Sequence, residues 1–289
     1  MKIGVVGLGN MGYSIAANLI DKGHEVYGYD INPARGKLLE KAGGYNTASC
    51  ADLGSKVSTA ILMVFSPDNL RDVLFGTNGL MESFPAGGTV LVTATVGPDV
   101  IAEVEPKLNE KNVTILDTPL MAGVDSARAG QMHILVGGTK ELVEKYDALL
   151  HDMGSEFYHV GDHAGMGQAG KMCLQTLFSL TFETAFEIIT LGKKLNLNMD
   201  EMDRLYHNSG STSELFHETQ DKINNRVFTG TFNPLSILDK DIHLSVEMAH
   251  KLHMEIPASE GTAKVFREAM KEYGKEDIWA AVKVIEAEK

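Results

Sequence analysis

Short apolar runs alternate with amphipathic stretches through the first half of the chain. The runs predict strands, because continuous apolar segments bounded by turn residues are typical of strands buried on both faces of a parallel sheet. The predicted strands are Ile3–Val6, Glu25–Tyr29, Ala60–Phe65, Val90–Thr93, Thr114–Leu116, His133–Val136 and Phe157–Val160. Helical periodicity lies between them, over Met11–Lys22, Val100–Lys111 and Lys140–Met153. This alternation predicts an α/β doubly wound domain over residues 1–163.

After residue 163 the pattern becomes helical throughout. Gly165, Gly167 and Gly170 lead into a long helical pattern over Gln168–Leu195 that is apolar on most faces. A helix of this kind is buried, either in a core or between subunits. Further helices are predicted at Asp200–Tyr206, Glu214–Asn224, Asp239–His253, Ser259–Tyr273 and Asp277–Ala287. No strand pattern is convincing here, so residues 164–289 are predicted to form an all-α domain for substrate binding and oligomerisation.

A glycine-rich segment directly follows the first predicted strand and opens a helix. It reads Gly7-Leu8-Gly9-Asn10-Met11-Gly12. Gly7 permits a tight turn, Gly9 has no side chain to block a pyrophosphate, and Gly12 lets the helix pack closely on the sheet. We therefore predict a dinucleotide site at these residues; a glycine turn without a ligand is the simpler alternative.

Asp30 ends the second predicted strand, at nearly the spacing of about 20 residues expected for a ribose-binding acid. A carboxylate accepts hydrogen bonds from a free 2′-hydroxyl and repels a 2′-phosphate. NAD is therefore expected in preference to NADP. Arg35 is the rival feature, since it could pair with a 2′-phosphate, although a solvated charge at a helix start is the preferred interpretation.

Composition narrows the range of partners. The 289 residues include 26 lysine and arginine against 39 aspartate and glutamate, a net charge of −13. This balance argues against nucleic acid and against an anionic membrane surface. Two distant cysteines fit a reducing compartment, and no uninterrupted apolar run reaches the length of about 18–20 residues of a membrane helix. The segment Met1–Gly7 is interpreted as a strand and not as a signal peptide, so a cytoplasmic protein is expected.

Lys171 is the candidate catalytic residue. It follows the three glycines and begins the apolar helix, and the positions one turn onward, Leu174 and Gln175, offer no carboxylate. Partial burial would lower the pKa of the amine, which suits an acid–base or a donor to a developing alkoxide. A helix N-terminal lysine that extends to water explains the spacing equally well.

Four motifs occur in order along the chain: Gly7-Leu8-Gly9-Asn10-Met11-Gly12, Asp117-Thr118-Pro119-Leu120-Met121-Ala122-Gly123, Gly165-x-Gly167-x-x-x-Lys171 and Lys240-Asp241. In this set and order the sequence resembles the β-hydroxyacid dehydrogenases, the family of 3-hydroxyisobutyrate dehydrogenase and tartronate semialdehyde reductase, over essentially its whole length.

The resemblance implies a Rossmann-like domain joined to a helical domain by the long helix. It implies an NAD(P)-dependent oxidoreductase that transfers hydride between nicotinamide and a small β-hydroxyacid or its semialdehyde. Lys171 would be the catalytic lysine at the substrate oxygen. Lys240, Thr95 and Phe65 would lie at the cofactor.

The substrate loop departs from the family pattern Asp-x-Pro-x-Ser-Gly-Gly. Met121 replaces the serine and Ala122 the first glycine, whereas Gly123 is kept. Because Met121 cannot donate a hydrogen bond, part of the anchor that the family uses for the substrate carboxylate is missing or replaced, and a bulkier or less polar substrate is expected. Gln175 stands where the family commonly has asparagine and keeps an amide.

Other polar residues of the chain have alternative interpretations. Ser126 could donate to a substrate, and Arg128 could bind a carboxylate, though a surface charge is the preferred interpretation. His243, Glu247 and His250 share a predicted helix face, but interspersed charges indicate a wet surface, and no metal is predicted. Residues 207–213 form a polar turn that could border the substrate or supply a helix cap.

Two alternatives to the hydroxyacid reaction remain. One alternative is a reductase of imines or of non-carboxylate carbonyls, suggested by Met121. The other is a catalytically silent dinucleotide-binding module. Lys171 argues against both. The apolar long helix predicts a homodimer or homotetramer.

Overall fold

The computed structural model describes residues 1–121, 123–231 and 233–287. The chain divides into two compact units, Met1–Lys171 and Met172–Lys289.

The first unit contains a sheet whose strands lie close to the predicted runs. Within the described residues the strands are β1 (Lys2–Val6), β2 (Glu25–Tyr29), β3 (Tyr45–Asn46), β4 (Thr59–Leu62), β5 (Thr89–Val92), β6 (Thr114–Asp117), β7 (Leu120–Met121), β8 (Met132–Gly137) and β9 (Gly154–Gly161). The two strands that the sequence did not predict, β3 and β7, have two residues each, too few to produce a hydrophobic pattern.

The strand order is β3-β2-β1-β4-β5-β6-β8-β7, with β9 beside β8. Neighbours from β3 to β6 are parallel, and the order reverses between β1 and β4. The far edge of the sheet departs from the parallel arrangement, since β8 runs antiparallel to β6 and β7. The turn over Val124–Gly130 is too short for the crossover that a parallel return requires.

Helices cover both faces of this sheet. They are α1 (Asn10–Asp21), α2 (Pro33–Lys41), α3 (Cys50–Gly54), α4 (Pro67–Phe75), α5 (Pro98–Asn109), α6 (Val124–Arg128) and α7 (Lys140–Met153), with a 3₁₀ turn at Leu80–Glu82. Alternate residues of β4 enter separate cores. Ile61 packs with α1 and α7, whereas Ala60 and Leu62 pack with α3, α4 and α5. Burial on both faces explains the continuous apolar runs and confirms the doubly wound, Rossmann-like prediction.

A 29-residue helix, α8 (Met166–Lys194), contains the division between the units. The second unit continues with α9 (Met199–Asn208), α10 (Glu214–Asn224), α11 (Leu235–Lys251), α12 (Pro257–Tyr273), a 3₁₀ turn at Ile278–Ala281 and α13 (Val282–Glu286). Its core packs around Phe186, Phe266 and Trp279. Among the described residues of this unit β-pairing is limited to one isolated bridge, so the all-α prediction is confirmed.

One face of α8 is buried in the core and another is exposed, whereas the sequence predicted burial either in a core or between subunits. Phe182, Phe186 and Ile189 are buried, whereas Leu177 and Leu191 are 60% and 54% exposed. By length and composition α8 meets the criterion for a membrane-spanning helix, with 44% of its most apolar window buried. The core helix of a soluble protein meets the same criterion.

Candidate active site

The glycine-rich turn has the geometry that dinucleotide binding requires. Gly7 has φ +87°, and a Cβ added there would lie 2.1 Å from the Met63 carbonyl oxygen. A Cβ on Gly12 would lie 1.8 Å from the Gly7 carbonyl oxygen, so α1 can pack against the turn only with glycine at this position. A Cβ on Gly9 would meet no atom within 4 Å. Gly9 therefore faces open space at the start of α1, where free N–H groups attract phosphate.

Asp30 lies at the end of β2 and is tied to this turn. Its Oδ2 accepts a hydrogen bond from the Leu8 amide at 2.7 Å, and its Oδ1 accepts one from the Asn32 amide at 2.8 Å. Each carboxylate oxygen has a second lone pair, which leaves capacity for ribose hydroxyls.

Arg35 lies in the first turn of α2, as the preferred interpretation of a charge at a helix start expects. Its guanidinium donates to the Asn10 side-chain oxygen at 2.9 Å, which holds it beside the glycine-rich turn, although the contact is exposed.

Phe65 and Thr95 follow β4 and β5, at the same edge of the sheet as the glycine-rich turn. This is the edge at which the carboxyl ends of parallel strands meet, next to the reversal of strand order between β1 and β4. Ligands of open α/β sheets bind in that crevice. Phe65 is 59% exposed, and Thr95 is half-buried. Both therefore lie at the edge of the sheet at which open α/β folds bind ligands.

A buried polar network, which the sequence analysis missed, joins the start of α8 to the sheet. The Asp117 carboxylate accepts two hydrogen bonds from Gln168, one from the backbone amide and one from Nε2, each at 2.8 Å. Gln168 Oε1 accepts from the amides of Val96 and Gly97 at 2.9 and 3.1 Å, and Gln168 Nε2 also donates to the Ala94 carbonyl. Both Asp117 and Gln168 are fully buried. The network fixes the loop that carries Thr95 against the first turn of α8.

Burial raises the pKa of Asp117 from its ordinary value of 3.8 to about 6. Hydrogen bonds from Gln168 and from the amides of Gly165 and Gly167 act in the opposite direction and limit the rise. One sequence feature pointed to this network: Asp117 is a carboxylate at the end of an apolar strand. Its motif had been interpreted only as a substrate loop.

Lys171 follows Gln168 by one helical turn and is 7% exposed. The interpretation of this residue as a lysine that extends to water was therefore wrong. The structure thus buries a lysine in the first turns of α8, where lysine is rarely found unless its ammonium group is paired.

The substrate loop is only partly described. Met121 ends β7 and is half-buried, Gly123 precedes α6 and is exposed, and Ala122 lies outside the described residues. A Cβ on Gly123 would meet no atom within 4 Å, so its backbone is open to a ligand. Arg128 forms an ion pair with Asp21 at 2.6 Å on the surface, as the preferred interpretation of this residue predicted.

In the second unit, Asp241 connects the other two predicted site residues. Gln175 Nε2 donates to Asp241 Oδ2 at 2.6 Å, and Lys240 Nζ lies 2.8 Å from Asp241 Oδ1. Gln175 and Asp241 are buried, whereas 21% of the Lys240 side chain is exposed. Asp241 thus fixes an amide and an ammonium group together.

Two of the three potential metal ligands on α11, His243 and His250, have other polar neighbours. His243 Nδ1 lies 2.7 Å from the Asp239 carbonyl oxygen, and His250 Nε2 lies 2.9 Å from Glu260. In the polar turn, Ser213 caps α10 by accepting from the Phe216 amide.

Two family models match the chain along nearly its whole length. Residues 2–161 match the NAD-binding domain of 6-phosphogluconate dehydrogenase, and residues 165–285 match the NAD-binding region of NADP-dependent 3-hydroxyisobutyrate dehydrogenase. The chain therefore binds NAD or NADP.

Named relatives share this organisation from end to end. L-Threonate dehydrogenase of Haemophilus influenzae is 29% identical over 98% of this chain and 94% of its own length. 3-Sulfolactaldehyde reductase of Escherichia coli is 28% identical over 97% and 94%. The crystal structure of 3-hydroxyisobutyrate dehydrogenase from Salmonella typhimurium superposes with a TM-score of 0.86 at 25% identity, over 98% of this chain and 99% of that one.

These matches favour oxidation and reduction at a CH–OH group over the imine-reductase and silent-module alternatives. With its Rossmann-like unit, its helical unit and its ordered motifs, the chain is an NAD(P)-dependent dehydrogenase of small hydroxyacids and belongs to the β-hydroxyacid dehydrogenase family.

Proposed function

We propose that Lys171 is the acid–base of a reaction that interconverts a small β-hydroxyacid and its semialdehyde. The burial of Lys171, at 7% exposed, is the observation that carries this proposal. When bound, the nicotinamide accepts or supplies the hydride. In the reducing direction the Lys171 ammonium donates a hydrogen bond, and then a proton, to the carbonyl oxygen as negative charge develops on it. In the oxidising direction the neutral amine takes the hydroxyl proton.

The remaining predicted residues have complementary roles. Gly7, Gly9, Asn10, Met11 and Gly12 would bind the pyrophosphate. Phe65 and Thr95 would contact the nicotinamide half, with Lys240, held by Asp241, near the ring. Asp30 would bind the adenine ribose and favour NAD over NADP, since its carboxylate repels a 2′-phosphate.

The substrate is proposed to carry an anionic group. L-Threonate and 3-sulfolactaldehyde, named in the relatives, each combine a hydroxyl or aldehyde with an acidic group. In this chain the Gly123 backbone can donate to such a group, whereas Met121 cannot. A substrate with a larger apolar portion near Met121 is therefore expected.

Turnover tests the proposal directly. A panel of small hydroxyacids, semialdehydes and neutral aldehydes is incubated with NAD(H) and NADP(H), and NADH absorbance is followed. We expect Lys171→Ala to lower kcat by about 10²–10⁴-fold while NADH binding persists. The matched control is Lys193→Ala, an exposed lysine near the end of the same helix. A Lys171→Ala enzyme that retains more than about a tenth of the wild-type kcat would assign the acid–base role elsewhere.

We also propose a homodimer or homotetramer that assembles through the exposed face of α8. Leu177, Ile188, Leu191 and Leu195 are 60%, 37%, 54% and 60% exposed and recur at helical spacing. An apolar stripe of this kind marks an interaction surface. Light scattering should give a multiple of the chain mass, and Leu177→Lys with Leu191→Lys should reduce it. Leu205→Lys on α9, also exposed at 58%, is the control. A monomeric wild type contradicts this assembly.

We also propose that the protein is located in the cytoplasm. Cys50 and Cys173 are free thiols, as a reducing compartment requires.

A further inference from the structure

Three potential metal ligands come together in the second unit, on elements that the reaction does not use. Asp203 and His207 lie four residues apart on α9, and His217 lies on α10. Within the described residues these three form a group whose ligand atoms all lie within 4.8 Å of one another. His207 Nε2 and Asp203 Oδ1 are 3.6 Å apart. In a tetrahedral zinc site, bonds of about 2.1 Å place neighbouring ligand atoms about 3.4 Å apart. The first pair is therefore already near the required spacing.

The hydrogen bonds around His217 determine its tautomer. The Thr212 hydroxyl donates its proton to the Tyr206 carbonyl at 2.8 Å. Thr212 Oγ1 also lies 2.9 Å from His217 Nε2, and with its own proton in use it must accept there. Nε2 is therefore the protonated nitrogen, and Nδ1 carries the lone pair. Nδ1 is buried and has no hydrogen-bond partner among the residues that the structure describes.

A buried lone pair without a partner is unfavourable in a protein and requires an explanation. A bound cation provides one. Metal-ligating histidines characteristically donate their second ring N–H to a fixed acceptor, which orients the ring. The chain Tyr206–Thr212–His217 supplies such an acceptor.

We propose that Asp203, His207 and His217 form a site for a divalent transition metal of the Zn²⁺ class, with water completing the coordination. Two imidazoles and one carboxylate are ligands that Zn²⁺ accepts and that leave a fourth position open. The ion would join the end of α9 to α10 across the polar turn. It would thereby fix the segment that sequence analysis assigned either to the substrate border or to a helix cap.

The two histidine rings must move to bind the ion. Their planes are nearly parallel, at 6°, with centroids 3.6 Å apart. A ring nitrogen binds a metal in the plane of its own ring, so one ion cannot meet both lone pairs while the rings stay stacked. His207 is exposed and free to tilt. Simple ring stacking is the competing explanation of the cluster.

Metal titration of the full chain, stripped with a chelator, separates the two explanations. Co²⁺ is added and its visible absorption followed, and Zn²⁺ is then used to displace it. We expect one Co²⁺ per chain, with the intense bands of a low-coordinate site, and a higher Tm with Zn²⁺. His207→Ala should remove this absorption and the Tm shift. Because His207 is exposed, this variant is expected to fold.

Two further variants sharpen the test. Thr212→Val should weaken binding by about 10–100-fold, because it removes the group that orients His217. The matched control is His151→Ala, since Asp147 and His151 also form an i,i+4 pair 3.4 Å apart on a helix. Absence of Co²⁺ absorption in the wild type, or equal loss in the His151→Ala and His207→Ala variants, would overturn the proposal.

Discussion

Gln168 forms two hydrogen bonds to Asp117, from its backbone amide to Oδ2 and from its side-chain amide to Oδ1, each 2.8 Å long and fully buried. The pair joins the first turn of α8 to the end of β6. Gln168 Oε1 also accepts hydrogen bonds from the backbone amides of Val96 and Gly97. One side chain therefore joins α8, the end of β6 and the loop after β5.

Replacement of Gln168 by leucine is expected to lower the free energy of unfolding by about 2–5 kcal/mol. Leucine leaves Asp117 Oδ1 and the amides of Val96 and Gly97 without their partner, and a buried unsatisfied group costs about 1–3 kcal/mol. Urea denaturation measures the change. Gln131→Leu, at an exposed glutamine, should stay within about 0.5 kcal/mol of the wild type. Equal effects of the two substitutions would show that the network contributes little. The kcat of the folded Gln168→Leu enzyme should also fall, since Lys171 lies one turn further along α8.

The pH dependence of stability should reveal Asp117. Its pKa is about 6 in the folded protein and 3.8 ordinarily, so the folded state binds this proton more tightly. The contribution of the group to stability is therefore complete below about pH 4 and is lost as pH rises through about 6. A shift of this size corresponds to about 3 kcal/mol at most.

Asp117→Asn, which resembles the protonated side chain, should consequently destabilise the protein more at about pH 4 than at about pH 7. Denaturant unfolding of both proteins at the two pH values gives the double difference, in which other titrating groups cancel. Asp72→Asn, at an exposed residue of α4, should show no such difference. A cost of Asp117→Asn that is independent of pH would mean that the carboxyl is not perturbed.

Cofactor choice should respond to Asp30 and Arg35 in opposite ways. Asp30→Asn removes the charge but keeps an acceptor for the Leu8 amide, so it tests repulsion of a 2′-phosphate without loosening the turn. The ratio of kcat/KM for NAD to that for NADP should fall by about tenfold, equivalent to about 1.4 kcal/mol. Initial rates with both cofactors measure it.

Arg35→Ala provides the complementary result. Because Arg35 is held by Asn10 beside the glycine-rich turn, its loss should reduce activity with NADP and leave activity with NAD nearly unchanged. If neither substitution changes the ratio, cofactor discrimination lies outside the end of β2.

The fold was predictable where local pattern determines it. Burial on both faces makes strands such as β4 continuously apolar. The glycine-rich turn needs glycine because a Cβ at position 7 would overlap the Met63 carbonyl oxygen. The direction of β8 was not predictable, because a buried strand has the same apolar content whether it pairs parallel or antiparallel to its neighbours. The bond between Asp117 and Gln168 spans 51 positions and has no periodic signal. Leu177 and Leu191 are as apolar as the core residues, so hydrophobicity could not tell which face of α8 remains exposed.

Met121 is the residue at which substrate specificity can be tested most directly. Met121→Ser would restore a hydroxyl donor at the end of β7, and a hydrogen bond to a charged group contributes about 1.5–3 kcal/mol. KM for a short β-hydroxyacid should therefore fall by about tenfold or more, whereas KM for a neutral aldehyde should not. Met121→Ala removes the same bulk without adding a donor and is the matched control. If both variants improve the small acid equally, Met121 limits the substrate by volume alone. If neither does, the anionic group is held elsewhere, with the Gly123 backbone as one remaining donor.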